Sequence, residues 1–387
     1  MNIRQIFLSL LCALTMVEVH GRDCYFSNPD SSKTNLFERA IGLAERILDY
    51  VTYAPDSSRF SFAIYPAASY GHRTGLELGL MPIMQANSRG DRQSSIVMGL
   101  LVSTKKMWEI QFDMDLYPSD NTTLVGKIEW MRLPDEYYGE GSGKKSIVAE
   151  MMTQTLCANP SYLVKLGESH WDIGPTLRYY YAKYSEVISK NPEEQLLHES
   201  YLYNSNGSSL GIGARIRRDS RNNNDWPTAG SLLDIEYNYW WRNNSHANFY
   251  TSTIDFRKYG AIKKTVLAGQ AYISLSDKNT PYHLGSTFGG TRLNRAVGHN
   301  LKYRGEVAWF SQLEWRVPLF WRIGGVLFGG AGNANENIRK SLEDIHGVMG
   351  LGLRFKVFPK SGMNIRLDYG RGSHGDDAIY LSIKEGF

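Results

Sequence analysis

The stretch MWEIQFDMDLY, residues 107–117, alternates without a break: Trp108, Ile110, Phe112, Met114 and Leu116 share one side, and Glu109, Gln111, Asp113 and Asp115 share the other. A period of two belongs to a β-strand, whose successive side chains point to opposite faces. The pattern returns at residues 231–241, where Leu233, Ile235, Tyr237, Tyr239 and Trp241 oppose Asp234, Glu236 and Asn238. It returns again in VAWFSQLEWRVPL, residues 307–319, with Trp309, Leu313, Trp315 and Val317 against Gln312, Glu314 and Arg316. A soluble antiparallel sheet also alternates, one face on a core and one in water. Two features favour a membrane barrel instead. The runs reach about 10 to 13 residues, near what a tilted membrane strand needs and longer than the usual sandwich strand. Their apolar faces also end in Trp and Tyr, which collect at membrane interfaces.

Extending the pattern along the chain gives sixteen runs, at 59–68, 73–84, 94–104, 107–117, 122–133, 147–157, 172–183, 208–218, 229–241, 247–258, 263–275, 304–318, 322–332, 346–357, 362–370 and 377–387. An even number suits an antiparallel barrel whose ends must meet. The fold expected is therefore all-β, an antiparallel transmembrane β-barrel of about 16 strands spanning 59–387. The pattern blurs between 147 and 207, where Pro160 and Pro192 interrupt it. Two connections are long, 184–207 and 276–303, and the rest are short.

The front of the chain reads differently. Residues 1–21 have a basic start, the apolar core IFLSLLCALTMV and a small-residue exit at Val19-His20-Gly21, the form of a signal peptide. In the following segment, 22–58, Leu36, Phe37, Ala40, Ile41, Ala44, Ile47, Leu48 and Val51 recur at helical spacing, with Asn35 and Glu38 placed like a cap. This is a short amphipathic helix too small to fold alone. No later stretch is apolar for the ~18 residues a membrane helix needs. A barrel hides its apolar content in alternation, and the mean hydropathy of −0.36 suits that as well.

Composition narrows the function. The 387 residues carry 43 basic and 39 acidic side chains, a net charge of +4, with no basic tail or stripe, so nucleic acid is not an expected partner. YYGEGSGKK, residues 137–145, lacks phosphate-loop spacing and puts Lys145 where a hydroxyl would hold magnesium. Ser169 and His170 are adjacent, so on a strand their side chains diverge. The nine histidines show no paired metal spacing and no Cys-x-x-Cys occurs. No enzyme, cofactor, metal or catalytic residue is expected. Cys24 and Cys157 show no disulfide framework, though an oxidising compartment would allow them to bridge.

What remains is a set of charges on the lumen side of the last strands: Glu314 and Arg316 on the twelfth, Arg366 and Asp368 on the fifteenth. One reading is a solvated or mutually paired interior. The other is a latch, with Arg295 of the long 276–303 loop folded in to bind a carboxylate through its two-pronged guanidinium.

These residues resemble the bacterial surface-antigen superfamily of outer-membrane barrels, the BamA/TamA group, over most of the chain and most strongly from Gly211 to Phe387. RRDSRNNNDWPTAG is similar to that family's Asp-Ser-Arg-Asp-Asn…Pro-x-x-Gly hairpin at Asp219, Ser220, Arg221, Asn222, Asn223, Pro227 and Gly230. FGG at 288–290, YRGE at 303–306, QLEWRVPL at 312–319 and RLDYG at 366–370 follow in the family's order. NRAVG resembles the family's Arg-Gly-aromatic loop tip, with Arg295 as the arginine, Ala296 and Val297 replacing the other two, and Glu314 as its acid. The family's acid on the next strand would fall near Gly330, where this sequence has none.

The resemblance implies a non-enzymatic, monomeric barrel integral to the bacterial outer membrane, in membrane biogenesis or as a surface antigen, without the POTRA domains that 22–58 cannot hold. Its partners would be outer-membrane lipid and the barrel insertion machinery, with any client protein unspecified. Phe387 resembles the C-terminal assembly signal of such barrels, an aromatic at the periplasmic rim on the last alternating strand. The alternative is a passive or gated pore lined by Glu109, Asp113, Asp115, Asp234 and Glu236.

Overall fold

The computed structural model describes residues 42, 52–53, 60–71, 73–87, 93–139, 143–144, 146–243, 247–290, 292–297, 302–358 and 362–387. The leader at 1–21 lies outside the described residues. So does the helix expected over 31–54, except that Gly42 is helical and Thr52–Tyr53 form a short strand.

Wherever apolar and polar residues alternate, the backbone is extended. The strands are β1 (Phe60–Gly71), β2 (Gly75–Asn87), β3 (Gln93–Ser103), β4 (Trp108–Ser119) and β5 (Thr122–Tyr137). β6 comes in two pieces, Ala149–Ala158 and Ser161–Lys165, followed by β7 (Trp171–Ser189), β8 (Gly207–Asp219), β9 (Gly230–Arg242), β10 (Phe249–Ile262) and β11 (Thr265–Ser276). The last five are β12 (Val307–Phe320), β13 (Ile323–Asn335), β14 (His346–Phe358), β15 (Met363–Gly372) and β16 (Asp377–Ile383). The sheet holds eighteen strands; one is the two-residue Thr52–Tyr53 piece and two are the halves of β6, which leaves the expected sixteen staves. Each stave pairs antiparallel with the next in sequence from β1 to β16.

The polarity is inverted relative to a soluble protein. On β12, Leu313 is 60% exposed and Trp315 46%, while their neighbours Glu314 and Arg316 are both at 0%. Apolar side chains cover the outside and charges fill the inside, as a barrel in lipid requires. No helix of the described residues is long and apolar enough to cross a membrane.

Up-and-down strands send their connections alternately to two ends. One end carries the connections 138–148, 190–206, 277–306 and 336–345; the other carries tight turns such as 120–121, 263–264 and 321–322, and also 220–229. The blurred 147–207 region resolves physically. Pro160 splits β6 because proline cannot donate to a ladder. β7 runs on to Ser189 through a bulge, with Glu186 at φ 54, where the sequence suggested a loop from 184. Helix α1 (Gln195–Asn204) then fills the connection.

Among the described residues no ladder joins β16 to β1. The free edge of β1 instead pairs with Thr52–Tyr53 at Ala63 and Phe62. At the short-turn end, side chains bridge the seam: Ala63 and Tyr65 of β1 share an apolar cluster with Ile383 of β16.

Candidate functional site

Alternation aims Gln312, Glu314 and Arg316 of β12, Arg354 of β14, and Arg366 and Asp368 of β15 into one sector of the lumen, where all are buried. Into this sector the 277–306 connection drops Arg295, itself 1% exposed. Its guanidinium donates to Glu314 Oε2 at 2.7 Å, Asp368 Oδ2 at 3.1 Å and Gln312 Oε1 at 3.2 Å, and its carbon lies 3.6 Å from the centre of the Phe328 ring. The structure thus brings together all three residues suggested for the latch. The network extends further: Arg316 Nε donates to Glu314 Oε1 at 2.7 Å, Arg354 to Asp368 at 2.6 Å, and Arg366 to Asp368 at 2.9 Å. Charged groups this deep persist only when each carbon-bound charge has hydrogen-bonded counterparts.

The wall behind the loop is made for close approach. A Cβ added at Gly370 would lie 2.6 Å from the Arg295 carbonyl oxygen. Asn294 Nδ2 meets His346 Nδ1 at 2.8 Å, and Tyr380 donates from its hydroxyl to the Val297 carbonyl at 2.6 Å. Ala296 and Val297, which take the place of a Gly-aromatic loop tip, are buried with Phe288, Phe310 and Phe328. At the outer rim the same connection is held again. The Tyr138 amide donates to the Tyr282 hydroxyl at 2.9 Å, and His283 lies between Asp135 at 3.1 Å and Tyr184 at 2.7 Å. In the β15–β16 turn, burial works to raise the Asp376 carboxyl, but hydrogen bonds from Lys302 and Tyr303 and the Lys302 charge hold it below its ordinary value. His346 Nε2 is the third contact of that carboxylate, at 3.1 Å.

The opposite end is closed by a segment whose depth alternation did not reveal. The 220–229 hairpin folds across the lumen. Asp225 accepts from Gln85 of β2 at 2.9 Å, Asn224 donates to the Tyr117 hydroxyl of β4 at 2.7 Å, and the Pro227 carbonyl faces Arg316 of β12 at 3.4 Å. Trp226 stacks 5.1 Å from the Arg316 guanidinium and lies over Gly362, whose φ of +78° leaves no room for a Cβ, which would sit 2.8 Å from that of Trp226. Arg221 anchors the base through two contacts to Asp219, at 2.9 and 2.8 Å.

Phe387 is not at the rim. The last strand stops at Ile383, Lys384 takes a left-handed φ of 64°, and the chain turns into the lumen. Lys384 reaches Asp115 at 2.6 Å, Glu385 binds Arg354 at 2.8 Å, and Phe387 is buried against Tyr259 and Ala268 with its main-chain oxygen 2.7 Å from Arg316 Nη2. The rim position expected on the last strand fails because the strand ends at Ile383, four residues before Phe387. Of the acids suggested for a pore lining, Asp115 is engaged by Lys384, Asp234 by Arg215 at 2.7 Å and by Arg217 at 2.8 Å, and Glu236 by Arg178 at 2.6 Å.

Among the described residues no group of three or more His, Cys, Asp or Glu could hold a metal ion. Ser169 serves the β6–β7 turn, its hydroxyl donating to the Leu166 carbonyl at 2.5 Å. Cys157 is a free cysteine, and Cys24 lies outside the described residues.

No protein-family model matches this sequence, and no curated protein matches it. Solved structures do. BamA from Haemophilus ducreyi lacking POTRA domains 1–3 superposes with a TM-score of 0.51 at 13% identity, over 90% of this chain and 78% of that one. CdiB from Acinetobacter baumannii does so with a TM-score of 0.51 at 13% identity, over 84% of this chain and 60% of that one. Identity this low speaks to backbone architecture alone: the chain carries the same barrel fold as BamA and CdiB.

Proposed function

We propose that this chain is a non-enzymatic, monomeric barrel of the BamA/TamA type, integral to the bacterial outer membrane, that serves in outer-membrane biogenesis or as a surface-exposed antigen with its lumen shut by its own segments. In this reading 1–21 is the exported leader, 22–58 an accessory segment and 59–387 the barrel. The long-loop end faces outward and the short-turn end faces the periplasm. Outer-membrane lipid surrounds the apolar band, and the insertion machinery assembles the barrel through a signal that includes Phe387.

The observation that carries the reading is Arg295, buried at the meeting of Glu314 and Asp368 with the 277–306 loop drawn into the lumen behind it. A loop merely resting on a wet channel would not bury a guanidinium this completely. The latch, Arg295 with Glu314 and Asp368, is the device we assign to keeping the outer mouth closed. The competing reading, a passive or gated pore, would rest on inner-face acids left unengaged; of its five, Asp115, Asp234 and Glu236 are held by cations, Asp113 accepts from Gln111, and Glu109 makes no ion pair among the described residues.

The test is gel migration of cold and boiled samples after density separation of membranes. A heat-modifiable band in the outer-membrane fraction is the expected result. A periplasmic protein with no shift on boiling would overturn it.

A further inference from the structure

At the long-loop end a cavity of about 310 Å³ opens between the last turn of α1, the end of β9 and the connection after β11. That volume is at the lower end of the range for small-molecule sites. Tyr201 and Asn204 of α1, Arg242 of β9, and Lys278, Asn279 and Thr280 of the connection form its wall, and among the described residues no carboxylate lines it.

The cations here are unlike those inside the barrel. Arg178, Arg215, Arg217, Arg257, Arg295 and Arg316 each bind a carboxylate. Arg242 is half-buried, and its hydrogen bond is a 3.5 Å contact to the Ser205 carbonyl. It makes no ion pair among the described residues, nor does Lys278. The Thr280 hydroxyl oxygen is buried without a hydrogen-bond partner. A half-buried guanidinium without a counter-ion is costly, and an incoming oxyanion would relieve that cost through charge-assisted hydrogen bonds.

The remaining wall has a second chemistry. The Asn279 amide and the Thr280 hydroxyl offer donors and acceptors, and the Tyr201 ring gives a flat apolar side. Mixed amide, hydroxyl and aromatic walls suit a polyol better than a bare anion. We propose that this cavity binds a phosphorylated sugar unit, with its phosphate between Arg242 and Lys278 and its hydroxyls on Asn279 and Thr280. The chemistry is the same whether the unit arrives as a free sugar phosphate or as the head of a phosphorylated glycolipid.

The test is calorimetric titration of the refolded full chain with glucose 6-phosphate, glucose and inorganic phosphate. Arg242→Gln and Lys278→Gln follow, each checked for unaltered heat-modifiable migration. Saturable binding of glucose 6-phosphate is expected, weakened about tenfold by either substitution, the effect of about one charge-assisted hydrogen bond. Repeating the titration in vesicles containing lipopolysaccharide separates the sources. Competition identifies a glycolipid head and its absence a free sugar phosphate, and both bear the proposal out. It is overturned if glucose 6-phosphate does not saturate, if inorganic phosphate binds as tightly, or if folded Arg242→Gln and Lys278→Gln bind like the unaltered chain.

Discussion

Replacing Arg295 by alanine removes the contact on which the closed lumen depends, and the network around it sets the size of the effect. The side chain donates to Glu314 at 2.7 Å and Asp368 at 3.1 Å and stacks 3.6 Å from Phe328. Two charge-assisted hydrogen bonds at about 1.5–3 kcal/mol each, with a cation–π contact of about 0.5–2 kcal/mol, would suggest a total of about 3.5–8 kcal/mol. The carboxylates are not abandoned, however. Glu314 keeps Arg316, and Asp368 keeps Arg354 and Arg366. Each carboxylate of the sector thus keeps a guanidinium when Arg295 is lost, so no buried acid is stranded. The loss therefore falls on the loop, and about 3–4 kcal/mol of local opening free energy is the working figure, roughly 10²–10³ in the open population. Trypsin digestion of folded barrel reads this directly when opening is fast relative to cleavage. Cleavage within 277–306 should quicken by about that factor while the band remains heat-modifiable. Arg295→Lys, which keeps the charge and loses the fork, should fall between. Equal cleavage rates in folded Arg295→Ala and the unaltered chain would refute the latch.

Three further outcomes follow from the same geometry. Gly370→Ala should loosen that loop without altering any charge, because its Cβ would press on the Arg295 carbonyl; an overpacking cost of about 1–3 kcal/mol predicts roughly 5- to 150-fold faster tryptic cleavage, and an unchanged rate would contradict it. Phe387→Ala should lower the yield of heat-modifiable barrel in the outer membrane, since it empties a buried contact with Tyr259 and Ala268 and alters the proposed assembly signal; full yield would remove both roles. Asp376 has a folded-state pKa below its ordinary 3.8, so its contribution is present above that value and lost as pH falls through the lower folded value. Protease sensitivity near Lys302 should therefore rise on acidification below about pH 4, and Asp376→Asn should abolish that step.

Much of the barrel could be read from residues because alternation is local. On β12 each of Gln312, Glu314 and Arg316 takes its face from its own parity, so strand and face were legible together. The Arg295 contact was accessible for a related reason: lumen carboxylates at Glu314 and Asp368 ask for cations, and a long Gly- and Arg-rich loop just before Glu314 in sequence offers one. Contacts set by closure of the ring were not legible. Asp225 finds Gln85 at a separation of 140 residues, and Asn224 finds Tyr117 at 107, so an Asn-rich hairpin that reads locally as an ordinary turn becomes a plug only once the barrel exists. Lys384 shows the converse, since one left-handed residue ends the period and sends Phe387 inward.

The claim that the chain holds its own lumen shut is tested most directly by conductance in planar bilayers, with refolded wild type beside Arg295→Ala. The account predicts a largely closed wild type and frequent open events when Arg295 is removed. Steady, ion-selective conductance through the wild type, unchanged by the substitution, would contradict it and favour the pore.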